Sequence, residues 1–177
     1  MTALVLGGAA SGKSGWAEDL ICALPRTGPL IYLATMEPWG GEAAERIGRH
    51  RALRAGKGFS CTVERPQDLA GWAPPAGSAV LLEDLGNLAA NELFSGENLD
   101  PEGAYRRIRR GLDVLRAGAR HLVVVSGDLF RDGVNYPPET WAYLDLLARL
   151  HRDLADRADR VTELVCGLPV HWKGGEV

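Results

Sequence analysis

"TALVLGGAASGKSGWAEDLICAL", residues 2–24, is the stretch whose reading decides the fold. The apolar run Ala3–Leu6 does not alternate, so it reads as a strand buried on both faces. A helical pattern begins at Lys13. Between the two, "GGAASGKS" (7–14) fits G-x-x-x-x-G-K-[ST], with Gly7, Gly12, Lys13 and Ser14 in the fixed places. Each residue type has a physical reason. Glycines let successive backbone N–H groups turn inward around phosphate oxygens, and the start of the following helix adds a favourable dipole. A lysine here reaches the β- and γ-phosphates, and the next hydroxyl ligates Mg²⁺. The whole loop, Gly7, Gly8, Ala9, Ala10, Ser11, Gly12, Lys13 and Ser14, is therefore read as a nucleotide-phosphate site. Lysine is rare in this chain (Lys13, Lys57 and Lys173), which makes a chance match rarer still.

Further apolar runs predict strands at 29–35, 79–85, 121–128 and 161–167, a weaker one at 59–64, and a closing edge strand at 169–173. Helical patterns occupy 13–24, 41–55, 86–95, 101–118 and 138–158, with Asp100 placed as an N-cap and Pro101 at the first helical position. Strand–helix alternation implies right-handed crossovers and a parallel sheet covered on both sides. The expectation is one α/β domain over residues 1–177. It is of the P-loop NTPase (RecA-like) three-layer type, mostly parallel, with an antiparallel strand at the C-terminal edge.

Composition narrows the classes. A formal charge of −3 supplies no overall field for nucleic acid. The basic run "RRIRRGLDVLRAGAR" (106–120) reads as a packed helix with a solvated face, since Ile108, Leu112 and Leu115 form its apolar side. Cys22, Cys61 and Cys166 are odd in number and widely spaced, as free thiols in a reducing compartment would be. No leader pattern or membrane-length apolar stretch is present. A soluble, cytoplasmic protein is expected.

A phosphate loop of this kind works with an acid at the end of another buried strand. "VLLEDL" offers Glu83 and Asp84, of which one or both could instead cap the next helix. Glu83 is taken as the Mg²⁺-side carboxylate, and Asp128, ending "HLVVVSGD", is a further candidate at the same sheet edge. In "EAAERIGRHRALR" (42–54), helical spacing puts Glu42, Arg46, His50 and Arg54 on one stripe. Two guanidiniums flanking an imidazole favour its neutral, nucleophilic form and grip phosphate, although an exposed salt-bridged helix would show the same pattern.

The succession "GGAASGKS", "RIGRHRALR", "LLEDLGNLAANELF", "VVVSGD" and "GLPV" resembles the bifunctional adenosylcobinamide kinase / adenosylcobinamide-phosphate guanylyltransferase family of cobalamin synthesis. The resemblance implies two reactions on a corrinoid substrate. The first is phosphorylation of its aminopropanol hydroxyl by GTP or ATP. The second is transfer of GMP from GTP, carried on His50 as a phosphoramidate, to give adenosylcobinamide-GDP. It implies Mg²⁺, with Ser14 and Glu83 at the metal, Lys13 and Glu83 in catalysis, and Arg46, Arg54 and Glu64 at the nucleotide. It also implies a homo-oligomer, a trimer, without nucleic acid or membrane partners. The chain departs from the family at Ala10, where arginine is usual, through 127–136, and at His151, where asparagine is expected. Retention of one activity, another small-metabolite kinase or nucleotidyltransferase, and a nucleotide-binding regulator without turnover are the competing readings.

Overall fold

The computed structural model describes residues 1–36, 56–130, 133 and 135–175. In chain order these form β1 (Thr2–Gly7), α1 (Lys13–Ala23), β2 (Leu30–Ala34), β3 (Cys61–Glu64), a 3₁₀ turn (Leu69–Gly71) and β4 (Ala79–Leu82). Then follow α2 (Leu85–Phe94), α3 (Pro101–Gly118), β5 (His121–Gly127), α4 (Pro138–Arg157), β6 (Arg160–Val165) and β7 (Leu168–Lys173). The helix expected at 41–55 lies outside the described residues.

The strands form one seven-stranded sheet in the order β3-β2-β4-β5-β1-β6-β7. All neighbours are parallel except β6 and β7, so the expected antiparallel edge is present. Gly7 pairs with Gly127 and Leu4 with Val124, so β1 and β5 end level and deliver their loops to one edge.

The sheet is covered on both faces because its strands are apolar on both. On one face, Ala17, Leu20 and Ile21 of α1 pack on Ala3, Val5, Val123, Val125 and Leu81. On the other, Leu4, Val80, Leu82, Leu122 and Val124 lie under Leu88, Ile108, Leu115, Leu147 and Leu150. Asp100 caps α3 as expected, its carboxylate accepting from the Gly103 N–H at 2.8 Å. Arg106, Arg109 and Arg110 of that helix face solvent while Ile108, Leu112 and Leu115 are buried. Buried Glu92 ties α2 to its neighbours, accepting from Asp68 N–H at 2.8 Å and from Arg107 Nε at 2.7 Å.

Where the chain returns from 37–55, Lys57 is clamped to α1 by Glu18 at 2.7 Å and Asp19 at 3.3 Å. Cys22 Sγ donates to the Lys57 carbonyl at 3.2 Å. Cys22, Cys61 and Cys166 are all unpaired thiols, and no described helix is long and apolar enough to cross a membrane.

One glycine in α3 is fixed by packing. A Cβ at Gly111 would run into the Leu69 side chain and sit 3.2 Å from the Ala70 amide nitrogen. Gly111→Val should therefore lower stability by about 1–3 kcal/mol through overpacking, read as a lower urea midpoint. An unchanged midpoint would mean that the Leu69–Gly71 turn yields freely.

Candidate phosphate-binding site

The loop after β1 is shaped by close packing and by two left-handed residues. A Cβ at Gly7 would strike the Ser11 hydroxyl and lie 2.9 Å from the Leu164 carbonyl oxygen. Only glycine fits there. Ala10 (φ 54°) and Gly12 (φ 87°) turn the chain back, and the Ser11 N–H donates to the Gly8 carbonyl at 3.3 Å. Gly12 is the N-cap of α1 and brings no side chain to its first-turn N–H groups. Those donors, with the positive end of the helix, are what a phosphate requires. Lys13 Nζ donates to the Gly8 carbonyl at 3.0 Å, which lays the ammonium across the mouth of the loop.

Two strands brace this loop from either side. The Asp128 N–H, just past β5, donates to the Gly7 carbonyl at 3.0 Å. The Gly167 N–H, in the β6–β7 turn, donates to the Ser11 carbonyl at 3.1 Å. That turn places Cys166 (φ 50°) and Gly167 (φ 83°) in the left-handed region. Nothing in the sequence pattern announces the second contact, because it joins residues far apart in the chain.

The acids of "VLLEDL" divide. Asp84 caps α2: its Oδ1 accepts from Gly86 N–H at 2.7 Å and Asn87 N–H at 3.4 Å. Glu83 does not cap; its N–H continues the ladder to the Leu33 carbonyl at 3.0 Å. Leu82, Val124 and Leu4 are register partners on the face covered by α2, α3 and α4. Alternation therefore carries Glu83 to the α1 face, the side of Ser14. A hydroxyl and a carboxylate are hard oxygen donors suited to Mg²⁺, which takes most of its remaining ligands from phosphate and water.

Glu64 stands apart. It is exposed at the end of edge strand β3, four strand positions from β1, or about 19 Å at the usual spacing. Arg46, His50 and Arg54, with Glu42, lie outside the described residues, on the connection between β2 and β3.

On the α4 side of the loop lies a cleft of about 500 Å³, walled by Ala9, Asp128, Tyr136, Thr140, Tyr143 and Leu144 among others. Tyr136 and Thr140 come from the proline-containing stretch that opens α4, whereas Tyr143 is an ordinary helix position with no signal of its own in the sequence. Burial, with the Asp84 charge adding to it, pushes the Tyr143 phenol up to about 12, so it remains a neutral hydrogen-bonding group. Beneath the cleft, His151 Nε2 and Ser126 Oγ are 2.7 Å apart, and the imidazole meets the Phe130 ring edge-on at 5.7 Å between centroids.

A glycine-built phosphate loop between a central parallel strand and a helix, with acids at the same sheet edge, defines a P-loop nucleotide-binding α/β protein. The chain belongs to the cobinamide kinase / cobinamide phosphate guanyltransferase family, whose model matches residues 3–172. It is 32% identical over 177 residues to the bifunctional adenosylcobalamin biosynthesis protein CobP of Pseudomonas aeruginosa, covering 98% of each chain. The corresponding CobU of Salmonella typhimurium is also 32% identical, over 189 residues, with 98% of this chain and 100% of that one aligned. Among solved structures, an ATPase of a bacterial type III secretion system shares the fold. Its TM-score is 0.53 at 13% identity, over 93% of this chain and 52% of that one. A Pyrococcus horikoshii OT3 protein gives 0.51 at 8% identity, over 99% and 87%.

The imidazole beneath the cleft makes stability depend on pH. Burial pushes His151 down to about 4, against an ordinary 6.5, with Asp128 pulling the other way. The unfolded chain therefore binds a proton between those values that the folded chain refuses. Stability is full above pH 6.5 and falls toward pH 4, by no more than about 3 kcal/mol. Urea unfolding at pH 7, 6 and 5 should show this slope, and His151→Gln should flatten it. Equal slopes would mean that the folded protein accepts the charge.

Proposed function

We propose that this chain carries out two group transfers on one corrinoid substrate. The first moves the γ-phosphoryl group of GTP or ATP to a hydroxyl of adenosylcobinamide. The second moves GMP from GTP to the phosphate so formed, giving adenosylcobinamide-GDP. The observation that carries this reading is an intact phosphate loop in a chain that matches the family from residue 3 to 172. One domain serves both steps, in the cytoplasm where nucleoside triphosphate is available.

Lys13 and the first-turn N–H groups of α1 hold the triphosphate, and Ser14 and Glu83 hold Mg²⁺. When bound, that ion would offset the negative charge that develops on the phosphate oxygens. In the guanylyl half, a His50 ring nitrogen attacks the α-phosphorus and pyrophosphate leaves. An oxygen of the substrate's phosphate then displaces His50 from that phosphorus. Arg46 and Arg54 stabilise the phosphoryl oxygens during both displacements, and Glu64, at the far sheet edge, contacts the nucleotide.

A net charge of −3 supports the absence of a nucleic-acid partner. Val165, Leu168 and Trp172 form an exposed apolar flank on the C-terminal hairpin, Leu168 and Trp172 being 70% and 68% accessible. Such a surface supports a homo-oligomer, in this reading a trimer.

The test is incubation with Mg²⁺ and GTP labelled at the α-phosphate, followed by acid treatment. Acid-labile label on the parent chain and none on His50→Ala is the expected result. No label on a parent that still binds GTP would remove the guanylyl half, leaving a kinase or a nucleotide-binding regulator.

A further inference from the structure

Three acids occupy the carboxyl edge of the sheet near the loop, and the geometry gives them different neighbours. Asp84 caps α2 through the Gly86 and Asn87 N–H groups. Glu83 is directed by alternation to the α1 face with Ser14. Asp128 comes after Val124 and Ser126 at even spacing, which sets it on the opposite face, toward α4. Its strand is the immediate neighbour of β1, and its N–H is bonded to the Gly7 carbonyl at 3.0 Å, so its position relative to the loop is fixed.

The cleft it enters has a definite character. Asp128 shares the wall with Ala9 of the loop, and among the described lining residues it is the one charged side chain. The others include Leu129, Tyr136, Tyr143 and Leu144. Rings and aliphatic groups with a few polar atoms suit a bulky acceptor more than a second nucleotide phosphate. Phe130 N–H lies 3.5 Å from Asp128 Oδ1, a contact that steadies the carboxylate from below the cleft. An anion set directly against the γ-phosphate would repel it. The same anion beside a hydroxyl that loses its proton stabilises that loss.

We infer that Asp128 is the general base of the phosphoryl transfer, taking the proton of the acceptor hydroxyl. This rests on the kinase half of the function proposed above. The acceptor O–H bond breaks, its proton going to an Asp128 carboxylate oxygen, as the acceptor oxygen forms a bond to the γ-phosphorus. The bond from that phosphorus to the β–γ bridging oxygen breaks, and its electron pair leaves with the nucleoside diphosphate. Asp128 then releases its proton to water through the open side of the cleft.

Steady-state phosphorylation of adenosylcobinamide by the full chain with Mg²⁺ and GTP tests this directly. For Asp128→Asn, kcat should fall about 10²–10³-fold, the usual worth of a general base, with both KM values within about threefold. Asp128→Glu should recover at least about tenfold of the loss. Asp128→Asn retaining kcat within about fivefold would overturn the assignment. So would loss of kcat together with loss of thermal stabilisation by GTP, which marks a residue that merely holds the loop. A parent chain that binds GTP but transfers nothing to adenosylcobinamide would instead overturn the functional reading beneath it.

Discussion

The site depends on a backbone constraint at Gly7. The chain leaves β1 where Ser11 packs against the Gly7 Cα and the Leu164 carbonyl approaches to 2.9 Å of where a Cβ would be. It must turn at once. The turn is held between two backbone hydrogen bonds, from Asp128 to Gly7 and from Gly167 to Ser11, both near 3 Å. A loop that presents N–H groups to an anion would otherwise be free to present its carbonyls instead. The Gly7 and Ser11 carbonyls are engaged from the neighbouring strands and the Gly8 carbonyl by Lys13, which leaves the first-turn N–H groups of α1 to meet an anion.

The sheet then sorts function by face. Even and odd positions of parallel strands in register point to opposite sides, so β4 and β5 send their terminal acids to different helices. The α1 face receives Lys13, Ser14 and Glu83, the groups suited to phosphate and a hard cation. The α4 face receives Asp128 and the cleft with Tyr136 and Tyr143. In the reading proposed above, donor and acceptor would thus approach the γ-phosphate from different sides, the geometry an in-line displacement needs.

The fold was legible because its signals are local. Unbroken apolar runs gave the strands to within one or two residues, except that β4 stops at Leu82 where an apolar run to Leu85 was expected. The reason is Asp84, whose side chain serves the next helix and ends the ladder. Asp100 and Pro101 marked the start of α3 correctly for the same kind of local reason. The site was less legible. Which acid of Glu83–Asp84 caps α2 depends on an N–H two residues on and on sheet register. The brace from Gly167 depends on a hairpin far downstream of Ser11 closing against the loop. Tyr143 carries the signal of one more helix residue, and its place in the cleft with Asp128 comes from how α4 packs.

The departures from the family pattern fall unevenly across these two faces. The residues from Gly7 to Ser14 keep every position of the phosphate motif, with Ala10 as the change at its exposed tip. By contrast, Asp128, Leu129 and Tyr136 of the altered 127–136 segment line the cleft, and His151 packs on Ser126 of β5 and on the Phe130 ring. His151 is held neutral against Ser126 by its burial, and it meets the Phe130 ring without adding a charge. The nucleotide side is constrained by phosphate geometry, which is the same for every donor. The cleft faces no such fixed group, and in the reading proposed above its shape answers to the acceptor.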